Sequence, residues 1–321
     1  MRTFEEICRT IEEALARLTF DQPPRSLFDP ITYILSLGGK RIRPALALMA
    51  CDLFGGKNED VLQPALGLEV FHNFTLLHDD LMDEADRRRD KPTVHKLWNP
   101  NVAILSGDAM LICAYQLVAK ANDKAILELF SRTALEICAG QQYDMEFESR
   151  SDVTEEEYLE MIRLKTAVLL ACALKVGAMI GGASAADADA LYDYGIHIGL
   201  AFQLQDDLLD VYGDPKTFGK NIGGDILCNK KTFLLINALS VASEEQRQVM
   251  EDWMARKTYD AQEKIAAFTN LYNELSIRDL TERRIEDYYR MANEDLARLS
   301  IAPETLSVLK GTCDRLMKRK S

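Results

Sequence analysis

The sequence has no pair of cysteines at the spacing of a metal site or a redox motif. Its seven cysteines are odd in number, widely scattered and never part of a CxxC pattern. A disulfide framework or a zinc site needs paired or closely spaced cysteines, so neither is predicted. We expect reduced, mostly buried thiols, as in a cytoplasmic protein.

Basic residues are also in short supply. Lys and Arg total 38 against 51 Asp and Glu, which gives a formal net charge of -13. A chain this acidic is repelled by nucleic acid backbones and by anionic lipid surfaces. Neither is therefore a predicted partner, and each local cluster of basic residues needs a local explanation.

Long apolar runs without charge are missing as well. The first 18 residues carry charges throughout, unlike a secretory signal peptide, and predict an amphipathic helix. The stretch nearest to a membrane span runs from Thr166 to Ala186, but Lys175 interrupts it and small residues dominate its second half. We predict a tightly packed core helix there and no transmembrane segment.

Helical periodicity accounts for most of what is present. Apolar residues recur at helical spacing, and we find no strand hairpin, no fixed-period repeat and no linker. A new helix is predicted to begin near Pro44, after the break at Gly38-Gly39. The longer predicted helices span residues 62–82, 101–121, 124–142, 154 to about 180, and 186–212.

Two aspartate clusters organise the chain. Asp79, Asp80 and Asp83 follow one apolar run, and FQLQDDLLD repeats the pattern about 130 residues later with Asp206, Asp207 and Asp210. On a helix, residues four apart share a face, so each cluster aims carboxylates in one direction. A single cluster of this kind is usually solvated surface, whereas two copies with matching apolar lead-ins favour a shared function.

Basic residues accompany both clusters. The segment KRIRP (Lys40 to Pro44) opens a helix, which is typical of an anion site, although a solvated basic loop remains the alternative. Three arginines at positions 87–89 follow the first cluster within two turns. Surface ion pairs contribute only about 0 to 1 kcal/mol, so a site that holds metal ions and phosphates together explains these charges better.

The second cluster repeats this order of acid and base. A glycine-rich stretch at 213–225 carries Lys220, and Lys230 follows closely. Earlier in the chain, Lys165-Thr166 interrupts an apolar helix, and a buried lysine requires an anion nearby.

This set of residues suits one kind of chemistry. Mg2+ prefers oxygen ligands and combines one or two carboxylates with substrate phosphates and water. Metal ions and cationic side chains stabilise the charge on a departing diphosphate, so a carbon-oxygen bond ionises without a Ser, Cys or His nucleophile. An apolar cavity below the aspartates would house a hydrocarbon tail and protect a carbocation from water.

Five motifs in order make a family resemblance specific. With GGKRIRP, the two aspartate clusters, Lys165-Thr166 and FGKNIGGDILCNKKT, the sequence closely resembles the trans-prenyl diphosphate synthases, the family of farnesyl and geranylgeranyl diphosphate synthases. The resemblance implies an all-α fold: a single domain over residues 1–321, built as an isoprenoid synthase helical bundle of ten or more helices around a central active-site cavity. It also implies a homodimer that joins isopentenyl diphosphate head-to-tail to an allylic diphosphate.

The resemblance assigns roles residue by residue. It implies Mg2+, with three ions per active site, bound directly by Asp79, Asp83 and Asp206. Supporting or water-mediated roles fall to Asp80, Asp207 and Asp210. The residues implied for the diphosphate of isopentenyl diphosphate are Lys40, Arg43, His72 and Arg89. Those implied for the allylic diphosphate are Arg88, Lys165, Lys220 and Lys230, and those lining the carbocation are Thr166 and Gln203.

One position departs from the family pattern. The usual Arg-Arg-Gly reads Arg88-Arg89-Asp90 here. An acidic residue is less permissive than glycine at a turn, so the detailed loop geometry is left open. Both guanidinium groups are retained.

Product length depends on the residues below the first cluster. Thr75 and Phe74, four and five residues before Asp79, lie about 6 to 7.5 Å down the helix axis, where a growing tail must point. A lone aromatic at the fifth position, without an insertion between the aspartates, is similar to family members that make the twenty-carbon product. We therefore favour geranylgeranyl over farnesyl diphosphate, with Phe71 as the next floor residue. Ordinary core packing is the alternative for both aromatics.

Three other functions would each use part of this set of residues. A terpene cyclase shares one aspartate motif but carries a mixed Asn, Ser and Glu site in place of the second, and a non-catalytic partner subunit has no need of these acids. His78-Asp79 also suggests a metal-dependent phosphohydrolase, but that site needs more imidazole ligands than His95 and His197 supply. A single histidine such as His72 is more often an ordinary core residue. Its position two helical turns before Asp79 favours a role in the site instead.

Overall fold

Helices form nearly all of the regular structure in the computed structural model, which describes residues 2–213 and 222–317. This confirms the all-α prediction. The α-helices are α1 (Phe4–Leu15), α2 (Arg25–Ser36), α3 (Ile42–Leu53), α4 (Asn58–Met82), α5 (Val94–Leu97), α6 (Pro100–Val118), α7 (Lys124–Ser149), α8 (Glu155–Ile162), α9 (Val168–Gly181), α10 (Ala185–Tyr212), α11 (Gly224–Leu227), α12 (Phe233–Val241), α13 (Glu244–Ala255), α14 (Ala261–Glu274), α15 (Ile277–Ala297) and α16 (Ser307–Met317). Short 3-10 turns cover Ala119–Ala121 and Pro303–Leu306.

Two helices are longer than the periodicity predicted. Helix α4 begins four residues earlier, at Asn58, where Glu59 and Asp60 in the first turn suit the positive end of the helix dipole. Helix α7 continues past Gln142 to Ser149 and buries Phe147 in its last turn. Helix α3 carries Pro44 in its first turn, as expected.

A small hairpin shows that the expected absence of strand hairpins was wrong. Strand β1 (Arg87–Arg88) pairs antiparallel with β2 (Lys91–Pro92). The two residues between the strands, Arg89 and Asp90, have φ of 52° and 62°. Positive φ at both central positions is the geometry of a tight hairpin turn, and aspartate tolerates it better than most residues. Asp90 therefore supports the turn in place of the family's glycine.

The helix predicted from Thr154 to about residue 180 is interrupted by a wider turn. Thr154 caps α8, and its side chain and Glu157 form a reciprocal capping box. A π-helical turn, Arg163–Ala167, then separates α8 from α9. Such turns are rare and are often found at functional sites, and this one contains Lys165 and Thr166.

The chain divides into two compact units. The first comprises Met1–Arg132, Cys172–Tyr192 and Leu299–Leu309. Within it, α4 packs against α3 and α6, and four consecutive residues, Leu66 to Glu69, are buried. A helix buried on every side is the outcome that its apolar faces predicted.

The second unit comprises Thr133–Ala171, Asp193–Arg298 and Lys310–Ser321. Its core gathers aromatic and aliphatic side chains from α8, α10, α12, α14 and α15, among them Tyr158, Leu204, Phe233, Phe268 and Ile285. The second aspartate cluster lies on α10, directly beside this core. That position allows its side chains to be held by residues far away in the sequence.

Two described segments are long and apolar enough to cross a membrane by length and composition alone. Inside the protein, 67% of the Glu155–Gly181 window is buried, as expected of a core helix. Only 33% of the Pro100–Ala121 window is buried, which leaves much of α6 at the surface.

None of the seven cysteines forms a disulfide, but only Cys51, Cys172 and Cys313 are buried, so the expectation of mostly buried thiols was wrong.

Candidate active site

The first aspartate cluster ends helix α4. Its middle member, Asp80, is 3% exposed and accepts two hydrogen bonds from Arg88, Nε to Oδ2 at 2.8 Å and Nη2 to Oδ1 at 2.7 Å. Asp79 and Asp83 reach solvent, with Asp79 Oδ2 lying 3.9 Å from Arg88 Nη2. Burial raises the pKa of Asp80, and its hydrogen bonds from Arg88 oppose that rise. The cluster thus turns one carboxylate inward and two outward.

The hairpin brings Arg89 to the loop before α3. A Cβ added to Gly39 would lie 2.8 Å from Arg89 Nη2, so the guanidinium rests on the bare glycine backbone. Gly39 has a φ of 147°, which side chains rarely adopt. Two basic segments that are 50 residues apart in sequence are therefore neighbours.

Arg41 anchors that loop from inside. It is 4% exposed, with a left-handed φ of 48°. Its Nε donates to Glu12 Oε1 at 2.8 Å and its Nη1 to Glu69 Oε1 at 2.7 Å. Burial works against its charged form, but these bonds outweigh burial and raise the pKa of Arg41. Arg41 therefore neutralises the buried Glu69 and also pairs with the exposed Glu12.

Arg43 and His72 lie in the same region. Burial lowers the pKa of Arg43 to about 10, and its buried Nε has no hydrogen-bond partner among the described residues. Burial, followed by the charges of Arg43 and Arg89, holds the pKa of His72 well below its ordinary value, so the imidazole is neutral. A buried N–H donor without a partner is costly, and an anion would satisfy it. Lys40, at the mouth of the loop, is exposed.

The second cluster repeats the inward and outward arrangement. Asp207 is 5% exposed. The Tyr158 hydroxyl donates a short hydrogen bond to its Oδ2, and Gln203 Nε2 donates to its Oδ1 at 3.2 Å. Burial, and next the charge of Asp225, raises the pKa of Asp207 to about 7. Asp206 and Asp210 are partly exposed.

Backbone groups hold the last member of this cluster. The N–H of Asp225 donates to Asp210 Oδ2 at 3.0 Å, and the N–H of Gly223 donates to the Asp210 carbonyl oxygen at 2.6 Å. The segment that follows the glycine-rich loop is thereby tied to α10. The role that the resemblance implies for Asp210 stays a prediction.

Lysines approach this cluster through Asp144. Lys165 Nζ donates to Asp144 Oδ2 at 2.6 Å. Burial works to raise the pKa of Asp144, but the charges of Lys230 and Lys165 outweigh it and the pKa is lowered. The predicted need of Lys165 for an anion is met by this carboxylate. On the next residue, Thr166 Oγ1 donates to Gln203 Oε1 at 3.2 Å.

The π-helical turn is packed against a glycine of α7. A Cβ on Gly140 would lie 2.4 Å from the backbone nitrogen of Lys165 and 2.8 Å from Leu164 C. Both are main-chain atoms that a side-chain rotation does not move. Any side chain at position 140 must displace the turn that carries Lys165 and Thr166.

The aromatic residues below the first cluster form a connected series. Phe74 is 8% exposed, and its ring centroid lies 5.4 Å from that of Phe71 and 4.8 Å from that of His78. Phe71 in turn meets Phe130 at 5.2 Å. Thr75 donates its hydroxyl to the carbonyl oxygen of His72 at 2.8 Å. Two layers of aromatic rings therefore lie one behind the other at this end of α4.

The described structure brings the predicted residues together in two groups. Lys220 lies outside the described residues. In the first unit the group consists of Lys40, Arg43, His72, Asp79, Asp80, Asp83, Arg88 and Arg89. In the second unit it consists of Lys165, Thr166, Gln203, Asp206, Asp207, Asp210 and Lys230.

Four residues that hold the predicted site residues in place were not predicted from the sequence. The pattern of KRIRP does not distinguish Arg41 from the other cations, all of which suit an anion site. Asp144, Tyr158 and Asp225 are single polar residues whose hydrogen-bond partners lie 15 to 49 residues away in the sequence. The one local signal was the acidic residue in the glycine-rich stretch, Asp225, which follows two glycines.

The donor set fits Mg2+. Outward carboxylates supply the hard oxygen ligands that this ion prefers. Over residues 2–213 and 222–317, no three acidic, His or Cys side chains are close enough to hold an ion by themselves. An ion bound here would complete its coordination with water or phosphate oxygens, which is the usual habit of Mg2+.

Comparison with known proteins identifies relatives over most of the chain. A family profile described as "Polyprenyl synthetase" matches residues 24–271. The short chain isoprenyl diphosphate synthase of Methanothermobacter thermautotrophicus is 38% identical over 317 residues, 96% of this chain and 95% of that protein. The geranylgeranyl diphosphate synthase of Methanosarcina mazei is 37% identical over 305 residues, 94% and 89% of the two chains.

Solved structures agree with the sequence matches. A crystal structure of a geranylgeranyl pyrophosphate synthase has 45% sequence identity and a TM-score of 0.94, with both chains covered completely. The helical fold described above is therefore the fold of that protein as well.

Gly140 provides a test of the π-helical turn. Gly140→Ala should destabilise the protein by about 1 to 3 kcal/mol through overpacking and should lengthen the 2.6 Å contact between Lys165 and Asp144. Urea unfolding measures the first effect, and a crystal structure of the variant measures the second.

Gly195→Ala is the matched control, since its Cβ would meet the backbone of Ala171 at the same 2.4 Å. It should lose similar stability and leave the Lys165 contact unchanged. An undisturbed Lys165 in the Gly140 variant would contradict the assignment.

Proposed function

Because the chain belongs to the polyprenyl synthetase family, we propose that it condenses isopentenyl diphosphate with allylic diphosphates in a Mg2+-dependent, head-to-tail reaction. The chain is a prenyltransferase, and its relatives are named for short-chain prenyl diphosphates. One observation carries the proposal. Each aspartate cluster keeps its middle carboxylate buried and hydrogen-bonded while its outer carboxylates are at least partly exposed, and each middle carboxylate has a cationic group nearby, Arg88 at Asp80 and Lys230 at Asp207.

The first unit binds the diphosphate of isopentenyl diphosphate. Lys40, Arg43 and Arg89 supply positive charge, and the unpartnered Nε of Arg43 supplies a donor that an anion would satisfy. His72 remains neutral because burial and the surrounding arginines hold its pKa low. A neutral imidazole donates one hydrogen bond without adding a further repulsive charge to the arginine group.

The allylic diphosphate is the leaving group. Arg88, Lys165, Lys220 and Lys230 hold it, and Asp79, Asp83 and Asp206 are the direct ligands for Mg2+, with Asp80, Asp207 and Asp210 in support. Three bound Mg2+ ions would supply charge neutralisation and Lewis acidity to the departing oxygen. Asp80 fixes Arg88 by two hydrogen bonds, so this guanidinium meets the diphosphate without reorganising.

The reaction then needs little more from the protein. The allylic carbon-oxygen bond breaks with its electron pair on the diphosphate, and the isopentenyl double bond attacks the allylic carbon. A proton leaves the new carbocation for the released diphosphate. Oxygens of Thr166 and Gln203, joined by a hydrogen bond of 3.2 Å, orient dipoles toward the developing positive charge.

The twenty-carbon product is favoured over the fifteen-carbon product. Phe74 is packed in place by Phe71 and His78, so it forms a fixed floor, whereas Thr75 is small and partly exposed. The M. mazei relative is also named for the twenty-carbon product. A class I terpene cyclase is the alternative, and the second aspartate cluster argues against it.

The catalytic unit is proposed to be one domain over residues 1–321, working as a cytoplasmic homodimer. The family profile spans residues 24–271, which include parts of both compact units. On α6, Ile104, Leu105 and Ile112 are 44%, 59% and 61% exposed. Apolar surface of this kind on one helix is typical of an interface, and a second copy of the chain covers it without any other partner.

The metal assignment predicts the outcome of two substitutions. Asp79→Ala and Asp206→Ala should each lower kcat by at least about 10²- to 10³-fold, because transition-state charge loses its stabilisation, and should leave helix content unchanged. The assay uses Mg2+, isopentenyl diphosphate and each allylic primer in turn, with products separated by chain length.

Asp60→Ala, an exposed acid at the other end of α4, is the control and should retain activity. Wild-type protein that elongates no allylic primer would overturn the synthase proposal. Release of diphosphate without isopentenyl diphosphate would favour the cyclase instead.

The aromatic floor predicts a change in product length. Phe74→Ala should yield products longer than twenty carbons, because the tail gains the space of one ring. Phe71→Ala alone should not, because Phe74 still covers it, and the double variant should give the longest products. The measurement is the chain length of the products, and an unchanged distribution in the double variant would refute the floor.

The exposed face of α6 predicts the oligomeric state. Wild-type protein should sediment at twice the 36.2 kDa chain mass, and Leu105→Glu with Ile112→Glu should yield monomers. Val249→Glu, which charges an exposed valine on α13, should leave the dimer intact. Monomeric wild-type protein, or one that instead binds neutral phosphatidylcholine vesicles, would contradict the proposal.

A further inference from the structure

Lys264 is a buried lysine outside every motif considered so far. It lies on α14 with 0% of its surface exposed. Its ammonium donates to the side-chain Oδ1 of Asn229 at 2.7 Å and to the carbonyl oxygen of Leu227 at 3.3 Å, and it lies 4.5 Å from the ring centroid of Tyr259. Both acceptors are neutral oxygens, and these hydrogen bonds together with the aromatic face help to offset the cost of burying the charge.

The acceptors of Lys264 define one turn. Leu227 ends helix α11, and Asn229 adopts a left-handed φ of 55°. The side-chain nitrogen of Asn229 donates to the carbonyl oxygen of Met254 at 3.2 Å. Both ends of the Asn229 side-chain amide are therefore hydrogen-bonded, the oxygen to Lys264 and the nitrogen to the backbone of α13.

This turn leads directly into a residue of the active site. Lys230 follows Asn229, and its backbone N–H closes the turn on the carbonyl oxygen of Asp225 at 2.9 Å. Asp225 is the residue whose own N–H holds Asp210. Asp207, Asp225, Asn229 and Lys230 also line one small cavity beside the core of this unit. A displacement of Asn229 would thus also move Lys230 and change the contacts of the second aspartate cluster.

We propose that Lys264 is a positioning residue, which fixes the turn at residues 227–230 so that Lys230 and Asp225 keep their places at the second aspartate cluster. The proposal rests on the proposed function in one respect: it takes the allylic diphosphate as the anion that Lys230 holds. Lys264 itself does not touch the substrate.

The test replaces Lys264 by a side chain of similar length without charge. Lys264→Met should raise the KM for the allylic diphosphate by about tenfold or more, since small displacements of a charged group at a reacting centre have large effects. The KM for isopentenyl diphosphate should change by less than about twofold, because its residues lie in the first unit. A purely structural role would instead lower the amount of active enzyme and leave both KM values as they are.

Two controls separate the contacts of Lys264. Tyr259→Phe removes a different hydrogen bond to the same Leu227 carbonyl, 3.1 Å long, and should leave both KM values unchanged. Asn229→Gly removes the acceptor at a position where glycine tolerates the positive φ. It should reproduce the KM effect of Lys264→Met, and it serves as the test if that variant does not fold.

A double variant measures the coupling. Added to Lys230→Ala, Lys264→Met should raise the allylic KM by less than about threefold, because part of its effect acts through Lys230. Equal effects on both KM values, or full additivity in the double variant, would overturn the proposal.

A binding measurement keeps the two proposals distinguishable. Calorimetric titration of the full chain with inorganic diphosphate in Mg2+ needs no turnover, and Lys264→Met should weaken this binding by about tenfold relative to Tyr259→Phe. Weakened binding in a protein that elongates no primer would retain the positioning role and refute the synthase. Unchanged binding in an active synthase would refute the positioning role alone.

Discussion

Repulsion between adjacent carboxylates is the constraint on which both aspartate clusters depend. Two aspartates in sequence cannot both turn their charge toward the same cation site without a partner for one of them. The protein solves this twice by burying the middle carboxylate and giving it a fixed donor, Arg88 for Asp80 and Tyr158 for Asp207. The outer carboxylates are then left on the solvent side, one helical turn apart, where the proposed Mg2+ would meet them.

The basic residues of KRIRP are also held in two different ways. A guanidinium group that is removed from water needs hydrogen-bond acceptors or an anion, and Arg41 and Arg43 meet this need differently. Arg41 turns inward to Glu12 and Glu69 and holds the loop by charge-assisted hydrogen bonds. Arg43 is left with a buried donor that no described residue satisfies. Arg41 stabilises the loop, and Arg43 is the residue proposed to bind an anion there.

Sequence reasoning predicted most of the helices, because apolar spacing is a local pattern, and the roles of the motif residues stay predictions. Apolar spacing predicted α4, and the pairs Asp79 with Asp83 and Asp206 with Asp210 predicted two outward faces. It missed the hairpin at residues 87–92, because an Arg-Asp turn lacks the glycine by which such turns are usually detected. It also missed the π-helical turn, which packs closely against Gly140 on another helix. Tyr158, Asp144 and Lys264 escaped for the same reason: each acts on a group that is remote in sequence.

Although the clusters match in sequence, they are not electrostatically equivalent. Asp80 is paired with a cation, whereas Asp207 receives hydrogen bonds from neutral groups and its pKa rises to about 7. A carboxyl whose pKa is higher in the folded state binds its proton more tightly there. This group therefore stabilises the fold below its unfolded pKa and loses that contribution as the pH rises toward 7.

Positive charge at the second cluster comes from lysines, whose long, flexible side chains must be held in place by other residues. Asp144 provides it for Lys165, and the turn held by Lys264 provides it for Lys230. The cation of the first cluster, Arg88, lies on the hairpin and pairs directly with Asp80, whereas the lysines of the second cluster are held by residues outside the motif.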